Sequence, residues 1–283
     1  MPRDRSSAST SKPVSPRARR ALGRLGLDAA QVQGSGPHGR IIEADVLRVV
    51  AGKSRSSEMT SMRRSIARIT SASASGVPQF HLRAELDAMA LLAARAQWLE
   101  QVRAENGARL SLTDLILRAM ALALRDHPAA NVIWRENRLQ SLDEIHLGLV
   151  VGLDDGLLIP TLRHVDRLTV SQLARQRAEV VAAARHGRLS GSSEGVATSL
   201  SNLGTTRVDD FTAVIFPPQS TILTLGRIVE RPFVVDGQLR VRPTLRLTLT
   251  VDHRVLDGGP AAQWLGRIVR YLEQPALMLS NPS

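Results

Sequence analysis

Asp252-His253-Arg254-Val255-Leu256-Asp257-Gly258-Gly259 lies close to the end of the 283-residue chain and separates two periodicities. Upstream, Leu245, Leu247, Leu249 and Val251 alternate, which puts them on one face of a strand. Downstream, Pro260 to about Glu273 reads as a helix. A histidine at a strand-to-helix turn, with a carboxylate four residues on, is suited to act as a general base with a supporting charge. A surface histidine beside a turn aspartate is the plainer alternative, and the turn alone does not choose between them.

Around this turn the chain alternates helical and strand patterns from about residue 61. The pattern predicts helices over Leu86 to Glu105, Thr113 to Asp126 and Val170 to Gly187. The middle one is the clearest: Leu115, Ile116, Ala119, Met120 and Ala123 follow helical spacing, and Pro128 stops it. Ile145 to Leu153 is an apolar run expected to be one buried strand. Val196 to Leu200, Ala213 to Phe216, Thr221 to Val229 and Arg240 to Val251 are further strand candidates. The sum is an α/β domain with a mixed sheet and flanking helices over 61–283.

The first part of the chain is different. Residues 1–13 are polar and aperiodic and read as a disordered tail. Over 14–51, Ser15 caps a short helix that has Pro16 in its first turn. Gly34, Gly36, Pro37 and Gly39 then force a tight loop before a second helix, Glu43 to Val50, with Val46, Leu47 and Val50 on one face. Residues 52–60 read as a linker.

Charge is uneven in the same way. The net charge is +11, and residues 1–57 carry +7 of it. An acidic partner for this part follows. None of the chain's eight aromatic residues falls there, so the region lacks stacking platforms and nucleic acid is not expected. The chain has no cysteine, which excludes disulfides, thiolate catalysis and cysteine metal centres. No run of eighteen apolar residues occurs, so no membrane span is expected, and the polar start is no secretory signal. A cytoplasmic location is the expectation.

If His253 is a base in acyl transfer, a donor to the tetrahedral oxyanion must accompany it. Ser199-Leu200-Ser201-Asn202-Leu203-Gly204 supplies a hydroxyl where a strand enters a turn, although Ser-Asn-x-Gly is also ordinary turn chemistry. This segment resembles the T-I-S-N-L-G stretch of the 2-oxo acid dehydrogenase acyltransferases, the dihydrolipoamide acyltransferase cores related to chloramphenicol acetyltransferase. Four more segments resemble that family in the same order: Met62 to Arg68, Gly156 to Pro160, Phe211 to Gly226, and the opening DHRVLDG run. The resemblance implies a chloramphenicol-acetyltransferase-like catalytic domain acting on a coenzyme A thioester without a metal. It makes His253 the base, Ser201 the oxyanion donor and Asp257 an orienting carboxylate, paired with an arginine for which Arg64 and Arg68 are both candidates. It also implies a homotrimer or larger trimer-based assembly, with each site between two chains.

The first module resembles the peripheral subunit-binding domain of the same family through Ser15 to Arg19, Gly34 to Ile41 and Asp45-Val46. By that resemblance Arg19 and Arg40 hold a dehydrogenase or decarboxylase subunit, and Arg20 and Arg24 extend the basic face. Gly23 departs from the family, where a basic residue is frequent. Typical members also carry lipoate on a lysine at a hairpin tip. The only lysines here, Lys12 and Lys53, sit in polar segments expected to be flexible, so no lipoyl attachment lysine is expected in this chain. Phe216 stands where many relatives have asparagine. Three functions remain: acyl transfer to a dihydrolipoyl thiol on a separate lipoyl or carrier protein, stand-alone acetyl-CoA-dependent O-acetylation of a small-molecule hydroxyl such as a tetronate, and a non-catalytic scaffold.

Overall fold

The computed structural model describes residues 12–52, 59–187 and 195–279. The chain divides into two compact units between Met59 and Thr60. The expected tail, apart from Lys12 and Pro13, and most of the expected linker lie outside the described residues.

In the first unit, α1 (Pro16–Leu25) starts where the Ser15 hydroxyl accepts the Ala18 amide, and it ends at Gly26 in the left-handed region. The chain then doubles back before α2 (Glu43–Gly52). A Cβ on Gly34 would strike the backbone of Gly39 and Arg40, so the fold-back admits only glycine. Asp45 clamps the loop. It is 1% exposed and accepts the Ser35 hydroxyl and the Ser35 and Ile42 amides. The Ser35 hydroxyl first, and then the two amides, hold its pKa down to about 2. Ala18, Ala21, Leu22, Val32, Ile41 and Val46 form a small core. Leu47, expected on the buried face, is instead exposed, and Val49 packs against the core. Lys12 is not free: its ammonium donates to the carbonyls of Ala30 and Val32. Lys53 lies outside the described residues.

The second unit opens with α3 (Ser61–Gly76), β1 (Gln79–Asp87), α4 (Met89–Asn106) and α5 (Leu112–Asp126). A hairpin of β2 (Val132–Arg135) and β3 (Arg138–Ser141) follows, then β4 (His146–Leu149). Next come the hairpin β5 (Val151–Leu153) and β6 (Gly156–Leu158), β7 (Thr161–Leu162) and α6 (Val170–Arg185). The unit closes with β8 (Val196–Asn202), β9 (Thr221–Leu225), β10 (Val229–Val235), β11 (Gln238–Asp252) and α7 (Gly258–Glu273). Seven strands make a mixed sheet in the order β1-β11-β9-β8-β4-β7, with β10 on the first half of β11. β8 is parallel to both β4 and β9, and the other neighbours are antiparallel.

α5 lies in the middle of the core, with every residue from Asp114 to Leu124 buried. Its start is fixed by a reciprocal capping box between Ser111 and Asp114, and Arg177 pairs with the buried Asp114 at 2.6 Å. Leu245, Leu247, Leu249 and Val251 are all buried, as their alternation requires. Each contributes about 2 kcal/mol of apolar burial. Among the described residues no helix is long and apolar enough to cross a membrane.

Four boundaries differ from the sequence expectation. Leu86 belongs to β1, not to a helix. Phe80, Leu82, Ala84 and Leu86 alternate there, but the polar residues between them masked the pattern. The run Ile145 to Leu153 breaks at Val150, whose amide donates to Leu200, and its two halves join different sheets. Ala213 to Phe216 is not a strand; Ile215 is buried against Val77 and Ile222. Thr221 to Val229 divides at Gly226, where a Cβ would meet the Asp209 carbonyl and a second segment crosses.

Candidate active site

His253 follows the last residue of β11, and its position is tied down on both sides. Its amide donates to the Pro78 carbonyl at 2.8 Å, and the amide of Asp252 donates to Ser220 at 2.8 Å. The Phe80 ring lies 4.6 Å from the imidazole, centroid to centroid. Nδ1 stands 3.5 Å from Asp257 Oδ1, so Nε2 is the nitrogen left for a reacting proton. The imidazole is half exposed and Asp257 is 83% exposed. Asp257 is also the N-cap residue of α7, although its side chain makes no capping bond.

The expected arginine partner of Asp257 is not what the structure contains. Among the described residues neither Arg64 nor Arg68 pairs with it. The ordering ion pair of this turn is Asp252 with Arg254. Asp252 is 1% exposed and accepts the Arg254 amide and its guanidinium, the latter at 2.7 Å from Nη2. That carboxylate holds the Arg254 pKa above its ordinary value. Arg254 also donates to the Gly76 carbonyl and lies 5.1 Å from the Trp134 ring centroid. It therefore joins α3, β2 and the histidine turn. The two residues flanking His253 were visible in the DHR triplet, but alternation could not reveal that they pair over its backbone.

Ser201 lies near the end of β8, 9% exposed, opposite Thr224 of β9. Its hydroxyl has no partner among the described residues. The turn chemistry next to it falls to Asn202, whose Oδ1 accepts the Gly204 amide and whose Nδ2 donates to Thr113. Register shows how far Ser201 is from His253 in one chain. Ser201 pairs with Thr224 and Thr224 with Thr248, five residues before His253. At about 3.3 Å per residue and about 4.8 Å per strand the two are roughly 19 Å apart. Within one chain His253 and Ser201 are thus far apart.

Two clefts of this unit are lined by segments that the sequence singles out. One, of about 400 Å³, is lined by Arg95, Thr113, Asn202, Gly204 and Ile228, beside the Ser201 turn. The other, of about 370 Å³, is apolar and lined by Met62, Ile66, Leu157, Ile159, Phe216 and Gln219. Three segments distant in sequence, those of Met62, Gly156 and Phe211, thus meet at one cleft. In the first unit, Arg17, Arg20 and Arg24 follow one another along α1 and line a groove with Glu43. Arg19 and Arg40 are exposed but do not line it. Arg17 was missed at the sequence level, although its spacing from Arg20 and Arg24 is helical.

A family model described as 2-oxoacid dehydrogenases acyltransferase (catalytic domain) matches residues 51–280, and one described as e3 binding domain matches residues 12–47. The dihydrolipoyllysine-residue acetyltransferase component of the acetoin cleaving system of Bacillus subtilis (strain 168) is 35% identical over 281 residues, which is 94% of this chain and 70% of the relative. A dihydrolipoamide acetyltransferase of Azotobacter vinelandii, solved to define the role of a serine, a histidine and an asparagine in its catalytic mechanism, superposes with a TM-score of 0.75. It is 28% identical and covers 80% of this chain and 94% of its own. The cubic core of a pyruvate dehydrogenase multienzyme complex superposes with a TM-score of 0.74 at 28% identity, over 80% of this chain and 94% of its own.

Proposed function

The chain belongs to the 2-oxoacid dehydrogenase acyltransferase family, and on that premise we propose that it moves an acyl group between coenzyme A and a dihydrolipoyl thiol, with His253 as base and Ser201 as oxyanion donor. One observation carries the assignment of residues. In the Azotobacter enzyme the serine precedes the histidine by 52 positions and the asparagine follows it by four. Ser201, His253 and Asp257 keep those intervals, with a carboxylate in place of the amide. Nε2 of His253 takes the proton of the incoming thiol while Nδ1 faces Asp257. The thiolate attacks the thioester carbonyl, and the Ser201 hydroxyl donates to the tetrahedral oxyanion. Collapse expels the other thiolate, which recovers the proton from the imidazolium.

Since Ser201 and His253 of one chain lie roughly 19 Å apart by strand geometry, the proposal needs the serine of one chain beside the histidine of another. A trimer-based assembly, of the kind from which a cubic core is built, supplies that arrangement. The first unit then docks a dehydrogenase-type subunit through the α1 groove of Arg17, Arg20 and Arg24, with Arg19 and Arg40 beside it. The reading places the protein in the cytoplasm.

The test is complementation. His253→Ala and Ser201→Ala chains, each strongly impaired alone, are co-refolded or co-expressed and assayed with acetyl-CoA against dihydrolipoamide, a free lipoyl domain and hydroxyl acceptors. Recovered transfer to the dithiol in the mixture supports both the residues and the shared site. A mixture no more active than its parents overturns the shared site, and transfer to hydroxyls alone overturns the acceptor.

A further inference from the structure

We propose that Glu144, His146 and His164 form a binding site for a divalent transition metal, best matched by zinc, at the edge of the sheet and apart from the acyl-transfer residues. His146 opens β4 and is 3% exposed, Glu144 lies two positions before it, and His164 follows β7. One donor atom from each lies within 4.8 Å of the others. His146 Nε2 is 3.1 Å from Glu144 Oε2, and His164 Nδ1 is 3.7 Å from Glu144 Oε1. Tetrahedral zinc with bonds of about 2.0–2.1 Å has ligand atoms roughly 3.3 Å apart, between those two separations.

Three further observations bear on this site. The Nδ1 atom of His164 is buried without a hydrogen-bond partner, while it faces the carboxylate. His164 has a left-handed backbone (φ 50°, ψ 42°), a conformation uncommon outside glycine, at the N-cap of the short helical turn Val165–Arg167. The two imidazoles meet edge to face, with centroids 4.7 Å apart.

Coordination through Nε2 of His146 puts that ring's proton on Nδ1. The bond from the His164 amide to Nδ1, 3.1 Å, then gives way. Glu144 and His146 line a solvent-open cleft of about 450 Å³ together with Asp143 and Arg163, whose charges offset. The cleft leaves a fourth position for water, as three-ligand zinc sites do. By strand register His146 lies three strands from the end of β11, about 14 Å, so the ion touches no reacting atom.

The experiment is calorimetric titration of untagged full-length protein with zinc chloride, beside Glu144→Gln and His164→Asn. Asparagine tolerates the left-handed backbone, so the second variant keeps the turn. The expected result is one zinc per chain, with affinity falling at least about tenfold in each variant while circular dichroism stays unchanged. Melting temperature rises with zinc in the wild type alone. No saturable binding by the wild type overturns the site, as does a loss of less than tenfold in either variant, which would assign the ion to other histidines.

Discussion

His253 is poised by its neighbours more than by its own contacts. Its imidazole is half exposed with a carboxylate 3.5 Å away, while Asp252 and Arg254 lock the backbone on either side of it. His253→Ala is expected to remove nearly all acyl transfer with the melting temperature little changed, checked by a coenzyme A release assay beside calorimetry. Ser201→Ala should lower kcat by about two to three orders of magnitude, with a smaller change in KM. Arg254→Met removes the ion pair, the bond to Gly76 and the stack on Trp134 together. It leaves Asp252 buried and unpaired, so both activity and stability should fall, the latter by about 3 kcal/mol. Unchanged activity in that variant would remove Arg254 as a positioning residue. At this scale short motifs in the sequence singled out His253, Ser201 and Asp257, and the roles proposed for them rest on those motifs. It did not show Arg254 as the organising arginine, because its partners Gly76 and Trp134 come from elements far away in the chain.

Elements in this fold are held in place by close approaches and by buried polar ties. β8 and β9 are central and parallel, and Gly226 ends β9 where the Asp209 backbone passes over it. Gly226→Ala therefore pushes against backbone that cannot rotate away, and a loss of about 1–3 kcal/mol is expected from denaturant unfolding. Arg118 is a second tie. It is 1% exposed in the middle of α5 and donates to the carbonyls of Met278, Val165 and Asp166, with no carboxylate bonded to it among the described residues. Burial pushes its pKa down to about 10. Arg118→Met leaves three carbonyls to find other donors, a cost of about 2–4 kcal/mol, readable as a lowered melting temperature. Periodicity located α5, α7, β8 and β11, whose patterns are long and clean. It failed at β1 and at Val150, where polar alternation and one residue's change of sheet are decided by partners across the fold.

For the molecule as a whole, the two units carry different risks with pH. The hydrogen bonds from Ser35 and Ile42 hold the Asp45 pKa down to about 2 in the folded first unit, below the ordinary aspartate value of about 3.9 that it regains on unfolding. Its contribution is fully present above the unfolded value and is lost as pH falls through the folded one. Hydrogen exchange at the Ser35 and Ile42 amides should therefore rise as pH drops from about 4 toward 2, relative to intrinsic rates. Asp45→Asn should show the loosened state already at neutral pH. Neutralising Arg17, Arg20 and Arg24 together should weaken partner docking most at low salt, measured by titration at two ionic strengths. The sequence by itself determined the two-unit organisation and the α/β class, and it singled out the residues proposed for acyl transfer, because local periodicity and short motifs are properties of neighbouring residues. Only the tertiary structure decided which arginine holds the histidine turn, that one chain keeps Ser201 away from His253, and that Glu144, His146 and His164 meet. Strand order and register set those distances, and they arise from burial summed over the whole sheet.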